Sequence, residues 1–166
     1  MMEVWIIIFL IIFMLHNLEE IIMVEKWHLE TYPKVKNKIP MFINKELSRR
    51  KITSIGFAVV VFVLSIIVSA LIFISVMTEQ YYLYLGVSLP FAINIFSHPL
   101  QSLYLKCYTP GVLTSIVLII PYYFLFFHQF YQTELFSLDS VLRAIVVIVF
   151  LVPAFFLSHK VGERWS

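Results

Sequence analysis

The sequence predicts an all-α membrane protein, a bundle of about five transmembrane helices. Hydrophobic residues make up 61% of its 166 positions and charged residues only 13%, whereas soluble domains are nearer a half and a quarter. Five segments stay apolar over about 20 residues, the length of a helix that crosses a bilayer. This composition excludes a soluble globular domain, and the single cysteine excludes an internal disulfide and a cysteine-rich metal site.

The predicted spans follow one another closely and form a single transmembrane domain. They are expected at residues 4–24, 52–77, 81–105, 111–130 and 141–157. The connection 25–51 is the one long polar stretch. Within it, Met41 to Arg50 is expected to form a short helix on the membrane surface, with Ile43 and Leu47 on one face.

Basic residues set the predicted orientation. Eight of the twelve Lys and Arg residues lie in the loop 25–51, which the positive-inside rule places in the cytoplasm. The N-terminus is then outside and the C-terminus inside, as expected for a multi-pass protein of the plasma membrane. The loop is expected to rest against anionic lipid, and no nucleic-acid-binding signature accompanies it. The lipid bilayer is therefore the partner that this charge pattern predicts.

Three ionisable residues lie deep in the first span. His16, Glu19 and Glu20 form the pattern His-x-x-Glu-Glu, which places all three on one face of a helix within about one turn. An ionisable group at the centre of a span costs about 2.5–3.5 kcal/mol. Three of them on one face therefore suggest a function beyond packing.

The third span carries a second polar stripe. Asn94, His98 and Gln101 or Ser102 recur at helical spacing. Because spans one and three run in the same direction, the two stripes are expected at a similar depth and can meet. Three other histidines lie towards span ends and are not expected to join this cluster: His28, His128 and His159.

A short motif precedes the fourth span. It reads Tyr108-Thr109-Pro110-Gly111, and Pro110 suits the first turn of a helix because its missing N–H has no partner to lose there. Tyr108 is placed to reach towards the two polar stripes. Pro99, next to His98, is expected to kink the third span beside the site.

Taken together, these features resemble the HXXEE-domain family of small integral membrane proteins. The naming motif corresponds to His16, Glu19 and Glu20, and the later Asn and His of the family correspond to Asn94 and His98. The Tyr-x-Pro-Gly run of the family corresponds to residues 108–111. The resemblance covers nearly the whole chain. It implies that these positions form the functional centre, but it brings no established activity with it.

The cluster has the residue types of a metal site. His-x-x-Glu-Glu is close to the inverse zinc-protease pattern His-x-x-Glu-His. On that analogy His16, Glu20 and His98 are the predicted ligands, with water in the fourth position, as in catalytic zinc sites. The expected cofactor is a divalent metal, zinc first and iron second.

The predicted function is a metal-dependent intramembrane hydrolase that acts on a lipid or a membrane-embedded peptide. Glu19 is the predicted general base, and Asn94 or Tyr108 is predicted to hold a developing oxyanion. These roles follow from placing a water molecule and a substrate beside the three predicted ligands.

Three alternatives stay open. A metal-free hydrolase would use the Glu19–Glu20 pair, with His98 as its partner. A small proton-coupled or metal-ion permease would use the carboxylates as a relay and needs polar residues that continue to the outer face. A non-catalytic membrane partner subunit would leave its polar stripe exposed to lipid. The pattern does not predict an oligomeric state.

Overall fold

A computed structural model describes residues 2–49, 51–131 and 133–166, and within these ranges all regular structure is helical. Five helices are long and apolar enough to cross a membrane: Met2–Glu30, Ser54–Thr78, Tyr81–Leu105, Val112–Phe130 and Leu138–Trp165. The predicted all-α bundle of five spans is therefore confirmed. The first and last helices run beyond both of their predicted ends.

Several spans are built from more than one helical piece. The described helices are α1 (Met2–Glu30), α2 (Tyr32–Val35), α3 (Met41–Arg49), α4 (Ser54–Thr78), α5 (Tyr81–Ala92), α6 (Asn94–Leu105), α7 (Val112–Thr114), α8 (Ile120–Phe130) and α9 (Leu138–Gly162). Short 3₁₀ turns lie at Lys36–Lys38, Glu134–Phe136 and Glu163–Trp165. A π-helical turn, Ser115–Ile119, joins α7 to α8.

The third span breaks between α5 and α6, at Ile93. The Ile93 N–H bonds the carbonyl of Pro90, three residues back, at 3.2 Å, so the backbone tightens at this point. The helix α6 continues through Pro99, so the interruption of this span lies at Ile93, and the kink expected at Pro99 stays a prediction. The break directly precedes Asn94, and α6 thus begins with the polar stripe that the sequence analysis singled out.

An aromatic core holds α1 against α5 and α8. The Phe9 ring, which is fully buried, packs edge-on against Tyr84 and Phe91 with centroid distances of 5.4 and 5.5 Å. The Tyr122 hydroxyl bonds that of Tyr84 and lies 3.1 Å from the Trp5 carbonyl. This core fixes the rotation of α1 about its own axis, and it therefore sets the direction in which the side chains of the following turns point.

Close glycine contacts bring α9 into the bundle. A Cβ atom built on Gly86 would lie 2.6 Å from the Cβ of Val147, and one on Gly162 would lie 2.6 Å from the Gly56 carbonyl. Real Cβ atoms do not approach so closely, so α9 packs on α5 and α4 where glycine leaves room.

The basic connection folds onto one end of the bundle. We call residues 31–49 and 51–53 the basic cap, and the end that it covers the basic end. The Trp27 indole N–H donates to the Tyr108 carbonyl at 2.8 Å. The Tyr104 hydroxyl donates to the Lys38 carbonyl at 2.9 Å, and the Lys38 ammonium donates to the Leu105 carbonyl at 3.2 Å. The cap is thus hydrogen-bonded to α6, and the end of α1 is hydrogen-bonded to the loop before α7.

The helix predicted within this connection is confirmed as α3. Leu47 packs against the buried Trp27 and Tyr32 group, whereas Ile43 is 41% exposed. Only one of the two apolar residues predicted to share a face therefore faces the bundle. Arg50, which belongs to the predicted loop and helix, lies outside the described residues.

Candidate metal site

Two helices bring three possible metal ligands together. His16 and Glu20 lie one turn apart on α1, and His98 lies on α6; one ligand atom from each falls within 4.8 Å of the others. The Glu20 carboxylate lies between the rings, with Oε2 3.7 Å from His16 Nε2 and Oε1 3.5 Å from His98 Nε2. The expected meeting of the two polar stripes therefore takes place.

This group has the donor set and the spacing that a divalent metal requires. Two histidines and one glutamate form a known catalytic zinc set, and a tetrahedral ion with bonds of about 2.0–2.1 Å spaces its ligands about 3.3 Å apart. The two nitrogen–oxygen distances are close to that spacing. His16 Nε2 is buried and makes no hydrogen bond among the described residues, which is costly for a polar atom unless an ion or water satisfies it. The group could therefore hold an ion.

Thr114 fixes the orientation of the His16 ring. Its hydroxyl lies 2.8 Å from His16 Nδ1 and 2.5 Å from Glu19 Oε2. Because a carboxylate oxygen accepts, the hydroxyl donates to Glu19 and is left to accept the proton on His16 Nδ1. The His16 Nε2 atom then carries the lone pair, on the side that faces Glu20. Such an outer partner is what orients metal-ligating histidines in general.

Glu19 is held by the start of the fourth span. Its carboxylate accepts the backbone N–H groups of Leu113 and Thr114 at 3.2 and 2.8 Å, besides the Thr114 hydroxyl. The Tyr108 hydroxyl donates a fourth hydrogen bond at 2.6 Å. Free N–H groups at a helix start favour a negative charge. Glu19 therefore joins α1 to the beginning of α7.

Tyr108 is tied to the same carboxylate. Partial burial and the hydrogen bond to Glu19 raise the pKa of the Tyr108 hydroxyl above its ordinary value. The hydroxyl is thus kept protonated as a donor to Glu19. Tyr108 thus reaches the polar residues of α1 through its hydrogen bond to Glu19.

Gly111 lies against both imidazole rings. Its φ of +84° is a backbone conformation that suits glycine. A Cβ atom at this position would lie 2.8 Å from Cε1 of His16 and 2.8 Å from Cε1 of His98. The glycine of the Tyr-x-Pro-Gly motif therefore does two things: it turns the chain into α7, and it leaves room for the two rings.

Comparison with known proteins identifies the family of this chain. A family model described as "Protein of unknown function with HXXEE motif" matches residues 7–126. The chain belongs to the HXXEE family. The resemblance seen in the sequence is thus confirmed, and all six predicted site residues fall inside the matched range. No curated protein and no solved structure matches the chain.

In this HXXEE protein two of the three possible ligands, His16 and Glu20, line a cavity of about 620 Å³. Its polar lining consists of His16, Asn17, Glu20, Asn94 and His159. The rest of its lining is apolar and comes from α1, α4, α5 and α9. Of the six predicted site residues, Glu19, His98 and Tyr108 are not in this lining. The structure therefore places Asn94 on the same cavity wall as His16 and Glu20, whereas Glu19 and Tyr108 bond each other at the start of the fourth span.

Two residues of the site were missed in the sequence analysis. Thr114 gave no signal, because a threonine in the first turn of an apolar helix is ordinary. His159 was expected to stay apart; it remains outside the ligand group but lines the same cavity, and its ring packs on Phe155 at 4.5 Å. It lies on α9, beyond the range that the family model matches.

Proposed function

We propose that this HXXEE protein is a metal-dependent hydrolase of the plasma membrane that works within the bilayer. The observation that carries the proposal is a largely enclosed donor set, His16, Glu20 and His98, of which His16 and Glu20 line a largely apolar cavity. A zinc ion held by three protein ligands lowers the pKa of a bound water and so supplies a nucleophile at neutral pH. Zinc is the first candidate and iron the second.

The cavity-facing residue best suited to stabilise developing charge is Asn94. Its Oδ1 accepts the Ser97 hydroxyl at 3.2 Å, so its amide N–H₂ group is left to donate. An amide donor beside the ligands can stabilise the oxyanion that forms when water adds to an ester or amide. We keep the predicted oxyanion role for Asn94.

We assign positioning roles to Glu19 and Tyr108 in place of the predicted base and oxyanion roles. Both Glu19 oxygens already accept hydrogen bonds, and neither residue lines the cavity. In our proposal, Glu19 accepts the Thr114 hydroxyl, which leaves that oxygen to accept the His16 Nδ1 proton and so fixes the tautomer of the ring. Tyr108 positions the Glu19 carboxylate through its hydrogen bond.

Two observations support a hydrolase over a partner subunit and over a permease. The ligand side chains of His16, His98 and Glu20 are 1, 14 and 18% exposed, whereas a partner subunit would leave them open to lipid. The polar lining of the cavity lies towards the basic end, while Val68, Val87 and Ile148 line its far part. A permease would need polar groups there as well.

Elemental analysis tests the metal site. The protein is purified in detergent without a metal-affinity tag, beside His16→Ala, Glu20→Ala and His98→Ala. His128→Ala, on α8 and away from the cluster, is the matched control. We expect near-stoichiometric zinc or iron in the wild type and the control, and its loss in all three variants. A folded wild type with no metal would contradict the proposal.

Isotope labelling tests the reaction without a known substrate. Metal-loaded protein is incubated with membranes in H₂¹⁸O, and the lipid and peptide products are analysed by mass spectrometry. A hydrolase places ¹⁸O in a released acid, and Glu20→Ala abolishes that signal. A permease or a partner subunit produces no such signal.

A further inference from the structure

We infer that the substrate is a lipid whose alkyl chain occupies the apolar cavity and that it arrives from the bilayer between α1 and α4. This inference rests on the proposed function and names the substrate class for the same site. Three observations carry it: the lining of the cavity, a second groove that adjoins it, and the position of the polar group at one end.

The lining of the cavity suits a hydrocarbon chain better than a peptide. Beyond its polar end the walls are made of Val, Leu, Ile and Phe side chains with one proline. A peptide there would bring an N–H and a C=O for every residue, each costing several kcal/mol when it has no partner. An alkyl chain needs no partner, because these walls are as apolar as the bilayer that it leaves.

A groove on the lipid-facing surface adjoins the cavity. It measures about 250 Å³ and lies between α1 and α4. Phe13, Asn17 and Val61 line both the groove and the cavity, so a lipid that enters from the groove has to displace only these three side chains. At its outer side the groove is lined by Met14 and Leu18, which are 53 and 43% exposed. The groove therefore opens where lipid would surround the helices.

The polar side chains of this gap are short. Ser65 and Ser69 are the residues of α4 that line the groove, and their small side chains leave space between the two helices that a larger side chain would fill. Asn17 donates from Nδ2 to the Phe13 carbonyl at 2.7 Å. One N–H of this amide is thus paired within α1, which lowers the cost of bringing an alkyl chain past it.

The polar group marks where the head of the lipid would lie. With the chain in the far part of the cavity, beside Val68 and Val87, the bond next to the head reaches the level of His16, Glu20 and Asn94. A volume of about 620 Å³ lies within the range of about 300–1,000 Å³ found for small-molecule sites. One chain is the occupant that fits this shape.

Photo-crosslinking with a diazirine-bearing palmitic acid tests this inference. Purified protein in detergent is irradiated with the probe, with and without excess palmitate, and the labelled residues are mapped by mass spectrometry. We expect competed labelling on the cavity faces of α1 and α4. Leu64→Trp, which fills the cavity, should lower it by roughly tenfold. Ile66→Trp is the matched control, since Ile66 lies on the same helix and is 56% exposed, and it should leave the labelling unchanged.

Metal content measured on the same samples separates this inference from the proposed function. His16→Ala should lose metal and keep the label, while Leu64→Trp should keep metal and lose the label. Labelling that Leu64→Trp leaves unchanged, in protein that still binds metal, overturns the lipid site alone. Labelling by an apolar photo-leucine peptide that Leu64→Trp blocks, with none by the fatty acid, overturns it in favour of a peptide. Should Leu64→Trp not fold, Val61→Phe replaces it.

Discussion

Thr114 lies 2.8 Å from Nδ1 of His16, on the side of the ring away from Glu20. The same hydroxyl donates to Glu19, so the two glutamates of the motif reach His16 by different routes. Glu20, four residues on, approaches Nε2 directly, and Glu19, three residues on, acts through the threonine. The spacing of the motif thus places one glutamate near each of the two ring nitrogens of His16, Glu20 directly and Glu19 through Thr114.

Thr114→Val should weaken metal binding without unfolding the protein. Valine has the shape of threonine but cannot accept the Nδ1 proton, so His16 loses the partner that orients it. Loss of such an outer partner typically lowers metal affinity by about 10–100-fold. Titration against a chelator measures the change. Thr114→Ser keeps the hydroxyl and should restore most of the affinity; equal losses in both variants would show that packing, not the hydrogen bond, matters.

Gly111→Ala should disturb both histidines at once. The added Cβ would lie 2.8 Å from each ring, at a φ of +84°, and strain and overpacking of this kind cost about 1–3 kcal/mol. We expect a lower free energy of unfolding and a loss of metal. Leu113→Ala is the control, because that side chain is 60% exposed and should change neither quantity. Wild-type metal content in Gly111→Ala would contradict the close approach.

The helical spans and the ligand group could be predicted because both depend on local periodicity. Twenty apolar residues predict a span, and the i, i+4 spacing of His16 and Glu20 places them on one face whatever surrounds the helix. The place of His98 in the group could be predicted from its depth in the membrane, because two spans that run in the same direction bring corresponding positions to the same depth. These inferences need no knowledge of how the helices rotate against each other.

The rest of the site depends on that rotation and could not be predicted. Thr114 contacts His16 because the aromatic core turns α1 and because the fourth span starts beside it. His159 reaches the cavity because α9 approaches α4 closely at Gly56 and Gly162. The break of the third span at Ile93 uses the Pro90 carbonyl as a hydrogen-bond acceptor, a detail that apolar periodicity does not mark.

Tyr108→Phe should destabilise the protein below about pH 10 and progressively less above it. The hydroxyl donates to Glu19 on a partly exposed surface, so its removal should cost about 1 kcal/mol. The pKa of Tyr108 is raised in the folded protein. Its contribution is therefore full below the ordinary tyrosine pKa of about 10 and is lost as the pH rises towards the folded value.

Unfolding in mixed micelles at several pH values measures this difference. Wild type and Tyr108→Phe are compared at neutral pH and at points above pH 10, and the difference in their free energies of unfolding isolates Tyr108 from the other tyrosines. Tyr104→Phe, whose hydroxyl bonds the basic cap instead, is the comparison variant. A difference that grows with pH would contradict the assigned hydrogen bond.

The basic end should face the cytoplasm. Lys38 joins the basic cap to Leu105 of α6, and Trp27 joins the same end of α1 to Tyr108. Glu79, Thr133 and Glu134 line one cleft at the opposite end. The connections thus sort into a basic set and an acidic set, which the positive-inside rule orients.

In a Cys107→Ser background, Thr133→Cys should react with an impermeant maleimide on intact cells, and Asn37→Cys should react only after permeabilisation. The reverse pattern would invert the orientation and place the His16 group nearer the outer surface. Reaction of both on intact cells would contradict five crossings, because the structure puts these two residues at opposite ends of the bundle.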